Sequence, residues 1–271
     1  MKKLRILSLP YISWVCMFTV VPLLIVIFFA ITTPSGEFTI LNISNVGRYF
    51  SVIVKSILLA SIATFISLII AYPFSYIISR IGGRTGKIAM MIVMLPMWMN
   101  FLLRTYAWMT ILEKNGLLNK LLVYLNFSPV NIINTKIAVV IGMIYNYLPF
   151  MVLPLVSVMK KIEPSVIEAA QDLGSSGFSI FTKIIIPLTM PGVVSGVTMV
   201  FVPAVSTFII SRMLGGGGNL LIGDLIDMQF LGNSYNPHLG AAISLVLMVL
   251  ILLCMSVMNQ FECEDMEGKL V

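Results

Sequence analysis

The chain has 271 residues, 59% of them hydrophobic and 10% charged, with a mean hydropathy of +1.02. A soluble domain is typically about 25% charged and a disordered chain is poor in apolar residues, so neither class fits. The formal charge is +6, from 17 basic and 11 acidic residues, and where those charges fall decides between a nucleic-acid footprint and a membrane signal.

A membrane span needs about 20 mostly apolar residues. Six stretches qualify, at 10–31, 52–79, 88–112, 137–158, 187–211 and 239–259. The expected fold is all-α and integral to the membrane, one transmembrane domain over 1–271 with six transmembrane helices. The first stretch follows Lys2, Lys3 and Arg5 and so has the start of a signal peptide. Its apolar run exceeds the roughly 7–15 residues of a signal core and no A-x-A site follows, so it is read as a retained span. Cys16, Cys254 and Cys263 make no closed disulfide set and read as small hydrophobes.

Arg80, Arg84 and Lys87 crowd the turn between the second and third spans (RIGGRTGK) without an acid. Together with Lys2, Lys3 and Arg5 they orient the chain with both termini in the cytoplasm, the N-in/C-in arrangement. Lys160, Lys161, Lys183 and Lys269 fall on the same side. The positive charge is therefore a topology signal, with attraction to anionic lipid of the bilayer, and no nucleic-acid partner is expected.

Polar groups at bilayer depth tend to face a pathway or a partner helix. In the third span Asn100 and Arg104 lie one turn apart between Trp98 and Trp108. If the substrate is a cation, an arginine on the path would repel it, and Arg104 then reads as an ion-pair partner or interface anchor. In the fourth span Asn146 lies between Tyr145 and Tyr147, with Pro149 and Pro154 expected to break the helix nearby. These residues either line a path or belong to a kinked packing helix with hydrogen-bonded tyrosines.

The segment 159–186 then falls in the cytoplasm. Pro164 suits a first helical turn, and Ser165 to Glu168 has capping-box spacing. Ile167, Ala170 and Leu173 can share an apolar face, with Glu168 and Asp172 at i,i+4 on a polar one. Gly174 permits a turn that a Cβ would resist. A second short amphipathic piece, 178–186, is expected before Pro187 opens the fifth span. A helix, a glycine corner and another helix suit docking in a partner's groove, and equally suit lying on the membrane surface.

Beyond the fifth span, where Gly192 and Gly196 form a GxxxG pair for close packing, the run Gly215–Gly218 reads as a flexible connection. Asp224 and Asp227, three apart in an apolar stretch, read either as a solvated pair on an outer loop or as carboxylates for a cationic substrate. No nucleotide or metal site emerges. GGRTGKI fails the phosphate-loop pattern, with Ile81 in place of its first glycine and Ile88 in place of Ser or Thr. His238 is the lone histidine, which leaves no triad and no metal cluster. No cofactor is expected on this chain.

Glu168-Ala169-Ala170, Gly174 and Ile184-Ile185-Ile186-Pro187 resemble the EAA signature of ABC-importer permeases, with Ile186 where leucine is usual. PMWMN at 96–100 through Arg104-Thr105-Tyr106, LPFMVLPL at 148–155, IIIPLTMPG at 184–192 and GGGGNLLIGDLIDMQF at 215–230 are similar to the spermidine/putrescine permease family. The resemblance implies a type I ABC importer permease fold in the cytoplasmic membrane of a prokaryote. It also implies alternating access driven by a cytoplasmic ABC ATPase dimer, which binds the ATP and Mg, and a second permease subunit completing a heterodimer. An extracytoplasmic substrate-binding protein would deliver polyamine. Glu168, Ala169, Ala170, Asp172, Leu173, Gly174, Ile184 and Pro187 would meet the ATPase. Trp98, Asn100, Tyr145, Asn146, Tyr147, Asp224 and Asp227 are the candidates for the substrate path.

Overall fold

The structure is a computed structural model that describes residues 10–232 and 234–267, with side chains as far as 258. Lys2, Lys3, Arg5 and Lys269 of the topology argument, and the Cys263 side chain, lie outside the described residues. Helices run in the order α1 (Pro10–Ala30), α2 (Leu41–Val46), α3 (Phe50–Arg80), α4 (Gly83–Trp98), α5 (Phe101–Leu112), α6 (Leu117–Tyr124) and α7 (Lys136–Met159). They continue as α8 (Pro164–Asp172), α9 (Gly177–Ser206), α10 (Ile209–Leu214), α11 (Ile222–Phe230) and α12 (Pro237–Glu267). Among the described residues, five helices are long and apolar enough to cross a membrane, and the bent pair Gly83–Trp98 with Phe101–Tyr124 makes a sixth crossing if taken as one. Among the described residues the only strand-like pairing is the isolated bridge Thr32–Phe38.

The chain divides into two compact units, one from Met1–Ile53 and Leu225–Leu253, the other from Val54–Asp224 and Cys254–Val271. In the first, α1 leaves its apolar side chains exposed, Trp14, Phe18, Leu24 and Phe28 among them, as expected of a helix whose solvent is lipid or another subunit. The turn after it is held by Asn42, whose Nδ2 donates to Ala30 O (3.3 Å) and Thr32 O (2.9 Å). His238 packs edge-on against the Phe29 ring, with Nδ1 3.0 Å from Phe29 O. The lone histidine is thus a packing residue of the first turn of α12.

The core of the second unit is the pairing of α7 with α9. Met143, Met151, Val152 and Leu155 of α7 and Val194, Val200, Ala204 and Val205 of α9 are all buried. The GxxxG expectation holds: a Cβ at Gly196 would stand 2.7 Å from Met151 Sδ, and one at Gly192 3.1 Å from Pro154 O. Both glycines let the two backbones approach. That contact explains a departure from the sequence reading. Pro149 and Pro154 lie inside α7 without breaking it, since a neighbouring helix packed on the stretch stabilises a proline-containing membrane helix.

The third predicted span, in contrast, is not one helix. α4 stops at Trp98, Met99 is extended, and Asn100 caps a new helix by accepting from Leu102 N–H (2.9 Å) and Leu103 N–H (3.4 Å). The two arms differ in direction by 91°. Hydropathy is blind to such a break because the residues on either side stay apolar. Asn100 was a legible signal, since a short amide side chain is a strong helix N-cap.

After α5 the chain folds back through α6, secured by one side chain. Asn119 is buried, donates to Glu113 O, Lys114 O and Val130 O, and accepts from Val130 N–H. Asn119→Ala is expected to loosen this loop by about 1–3 kcal/mol, the cost of orphaning buried backbone groups. Amide exchange across 113–130 would measure it, and unchanged protection would refute the clamp.

The glycine run is also less free than its composition suggested. Gly216 has φ +57°, and a Cβ there would lie 2.8 Å from Asn134 Oδ1, while Asn219 Nδ2 donates to Asn134 O (2.9 Å) and Gly215 O (2.8 Å). Only Gly217 and Gly218 face open space. The run is a packed corner at its start and an open turn at its end.

Candidate functional site

The segment 159–186 builds a corner from local rules. Pro164 occupies the first turn of α8, where its missing N–H costs nothing. The capping box does not form. Glu163 is the N-cap residue, and Ser165 lies inside the helix with its hydroxyl 3.3 Å from Glu163 Oε2. The helix begins two residues earlier than the box requires because Pro164 fixes the first helical position.

The C-terminus of α8 closes as a complete Schellman motif. Ser175 N–H donates to Ala170 O (3.0 Å), Gly174 N–H to Gln171 O (2.8 Å), and Gly174 sits at φ +79°. Ser176 then caps the next helix through Ser179 N–H (3.3 Å). The second short helix expected at 178–186 is the beginning of α9, which runs unbroken to Ser206. A π-turn at Phe181–Ile185 stands just before Pro187. A proline cannot donate to the carbonyl four residues back, and the widened turn accommodates that missing bond.

Ile162, Ala170, Ile180 and Ile185 form a small buried core under this corner, with Tyr76, Ile167, Phe181 and Ile184 packed on it. Leu173 was expected on the same face as Ile167 and Ala170 but is 87% exposed. As the last residue before the glycine it has left the helical spiral. Phe178, which the sequence reading did not single out, is 79% exposed across the corner. Glu168, Ala169, Asp172 and Gly174 are exposed as well, and Pro187 is half-buried. The corner thus presents two large apolar side chains and two carboxylates outward from a rigid base. Arg80 lies at the same end, its guanidinium 5.3 Å from the Tyr76 ring.

The path candidates fall in several environments. Trp98 (77% exposed) and Asn100 stand at the break between α4 and α5. Tyr145 is half-buried with its ring 5.2 Å from that of Trp108. Asn146 and Tyr147 are buried, Asn146 donating back to Gly142 O (2.9 Å) and Tyr147 donating to Pro203 O (3.3 Å). Arg104 is only 7% exposed and forms no ion pair among the described residues. Its Nε and Nη1 have no acceptor there, and its guanidinium lies 5.7 Å from the Phe101 ring. Of the two readings of Arg104, ion-pair partner or interface anchor, the first is not met among the described residues.

Asp224 is not solvated. It is 0% exposed, its carboxylate accepts from Ser211 Oγ–H (2.5 Å) and Leu221 N–H (2.9 Å), and Arg212 Nε stands 3.8 Å away. Nearby, Ser56 Oγ accepts from Ile222 N–H (2.8 Å). Burial is possible because the carboxylate closes the start of α11, where unpaired N–H groups gather. Asp227 belongs to the other unit and is half-buried.

Residues 71–262 match the family model described as binding-protein-dependent transport system inner membrane component. The chain is 38% identical over 251 residues to the spermidine/putrescine transport system permease protein PotB of Haemophilus influenzae, covering 89% of this chain and 87% of that protein. It is 36% identical over 248 residues to the PotB protein of Escherichia coli strain K12, covering 88% and 90%. Among solved structures, a bacterial ABC transporter involved in the import of alginate matches with a TM-score of 0.81 at 16% identity, over 96% of this chain and 95% of that one. The inward-facing MetNI methionine ABC transporter matches with a TM-score of 0.60 at 16% identity, over 80% and 95%. A long-helix membrane fold, an exposed glycine-closed corner and this relatedness converge: the chain belongs to the binding-protein-dependent transport system inner membrane components, the permease subunits of ABC importers, whose ATPase is a separate protein.

Proposed function

We propose that this chain is a permease subunit of a polyamine importer, moving spermidine or putrescine across a prokaryotic cytoplasmic membrane by alternating access. The observation that carries the substrate class is the 38% identity to a spermidine/putrescine permease along 251 residues. The break at Met99–Asn100 supports a path beside it. Irregular backbone at membrane depth is stable where it lines a cavity or is buried in protein. There Trp98 and, further along, the Trp108–Tyr145 pair offer aromatic faces that attract ammonium groups. Asn100 is engaged as a cap and Asn146 and Tyr147 in helix contacts, so these act by shaping the path. The buried Asp224 holds the corner before α11, so its proposed role is structural.

The corner around Gly174 is the proposed dock for a cytoplasmic ATPase dimer. Glu168 and Asp172, like charges at i,i+4, destabilise an isolated helix by about 0.2–0.5 kcal/mol, a cost offset by a basic groove on a partner. Leu173 and Phe178 would fill its apolar floor. A second permease subunit and an extracytoplasmic binding protein complete the importer, with ATP and Mg on the ATPase. In this arrangement both termini lie in the cytoplasm, on the side of the corner and Arg80.

The test is uptake by proteoliposomes holding this chain with its paired permease and ATPase, supplied with loaded binding protein and internal ATP. Labelled spermidine or putrescine should accumulate, and excess unlabelled polyamine should compete where sulfate and ferric iron do not. Sulfate or iron uptake without polyamine uptake would overturn the substrate class. Ion-gradient transport by this chain alone would overturn the ATP-driven reading.

A further inference from the structure

We propose that Tyr72, on α3, is a positioning residue of the transport cycle, the link through which displacement of the exposed corner reaches α3 as well as α9. This rests on reading the corner as the ATPase dock.

Tyr72 Oη lies 2.7 Å from Thr189 Oγ1. Thr189 is buried, and its hydroxyl also reaches Ile185 O (2.9 Å) and Ile186 O (3.0 Å). A threonine hydroxyl has one proton to give, and those two carbonyls claim it. Tyr72 is therefore the donor, and Thr189 relays the bond onto the backbone where the π-turn Phe181–Ile185 joins the rest of α9. The Tyr72 ring also stands edge-on to Phe181, with centroids 5.6 Å apart and planes at 86°. Phe181 packs on the buried core beneath the corner, as does Tyr76, one turn along α3. Tyr72 thus holds α3 at two points, on either side of one irregular turn.

The placement gives the link a consequence. A π-turn followed by Pro187 is the least regular backbone between the corner and the membrane-crossing part of α9. A pull on the corner would be absorbed there if nothing bridged it. The edge-on ring contact and the hydroxyl bond span that turn from the side, so the turn and α3 move together. The sequence reading stopped at the loop and missed this link, because its halves, Tyr72 and Thr189, are 117 residues apart.

The experiment compares Tyr72→Phe, Tyr72→Ala, Thr189→Val and the double variant Tyr72→Phe/Thr189→Val in the complete importer in proteoliposomes. Assembly with the ATPase and basal ATP hydrolysis are read first. Stimulation by loaded binding protein and polyamine imported per ATP hydrolysed are read next. Tyr72→Phe keeps the ring and is expected to assemble and hydrolyse basally as the parent, while import per ATP falls about fivefold, the size of one lost hydrogen bond. Tyr72→Ala should fall further. The double variant should do no worse than Thr189→Val, because the two residues act through one bond.

Parental import per ATP in both Tyr72→Phe and Tyr72→Ala would overturn the proposal. Loss of assembly in Tyr72→Phe would also overturn it, by making the bond a folding contact. Failure of the docking reading looks different, since the parent chain itself would then neither bind the ATPase nor be stimulated.

Discussion

Gly174→Pro abolishes ATP-coupled uptake while the chain still inserts in the membrane. This is the largest functional effect expected of any single substitution here. Gly174 has φ +79° and its N–H donates to Gln171 O at 2.8 Å. Proline is locked near −65° and has no N–H, so the Schellman closure cannot form, at a cost of about 3 kcal/mol or more. The corner then reopens, and Leu173 and Phe178 lose the fixed spacing on which docking depends. Insertion is untouched because the residue lies between spans and no core side chain changes.

Gly174→Ala is the control that separates backbone from space. A Cβ at 174 meets nothing within 4 Å, so the cost is the left-handed conformation alone, about 1–2 kcal/mol. Uptake should be reduced and not lost. Binding of the ATPase to vesicles carrying each variant, followed by uptake, measures both steps. Parental uptake by Gly174→Pro would remove the corner from the coupling mechanism.

The largest effect on stability is expected from Asp224→Ala. Its carboxylate is wholly buried and satisfies Leu221 N–H and Ser211 Oγ–H, with Arg212 at 3.8 Å. The Arg212 side chain is 52% exposed, so the ion pair itself contributes little. Ser211 keeps a second acceptor in Phe208 O at 3.0 Å. The cost falls on the orphaned Leu221 amide and on the volume vacated beside it, about 2–3 kcal/mol in all. Asp224→Asn retains an acceptor oxygen and should lose less. Thermal unfolding in detergent or lipid tests the ranking, and equal melting of the parent and the alanine variant would refute it. If Asp224 acts structurally, the asparagine variant keeps polyamine uptake wherever it keeps its fold.

Which features were legible in advance follows from how far their causes reach along the chain. The corner at 164–176 was largely readable because proline at the first helical position and glycine after the last are local devices, set by residues within a few positions of one another. Its errors were local as well. Pro164 displaced the expected capping box by fixing the helix start, and Leu173 left the apolar face because the spiral ends there. The long helices were readable because transfer of an apolar run into lipid depends on the run and little else.

That additivity is also the reason the break at Met99–Asn100 stayed hidden. A hydropathy sum does not change when a helix bends by 91° between two apolar halves. The two prolines of α7 were misread for the opposite reason, since a local breaking tendency yields to a packed neighbour whose glycines approach it closely. Asp224 looked like a solvated acid because its partners Ser211 and Arg212 lie a dozen residues away, across a corner that composition rendered as flexible.

By itself, then, the sequence determined the solvent of this protein, its membrane helices, its exposed glycine corner and its family. The family rests on the resemblance of whole motifs to known permeases, and the others on composition or short-range spacing, where the physics is additive or local. Tertiary structure alone decided which polar side chains are committed to holding the fold. Asn119 became a clamp, Asp224 a pin and Tyr72 a link. A hydrogen bond is set by the position of both partners, and for Tyr72 and Thr189 only folding brings those positions together.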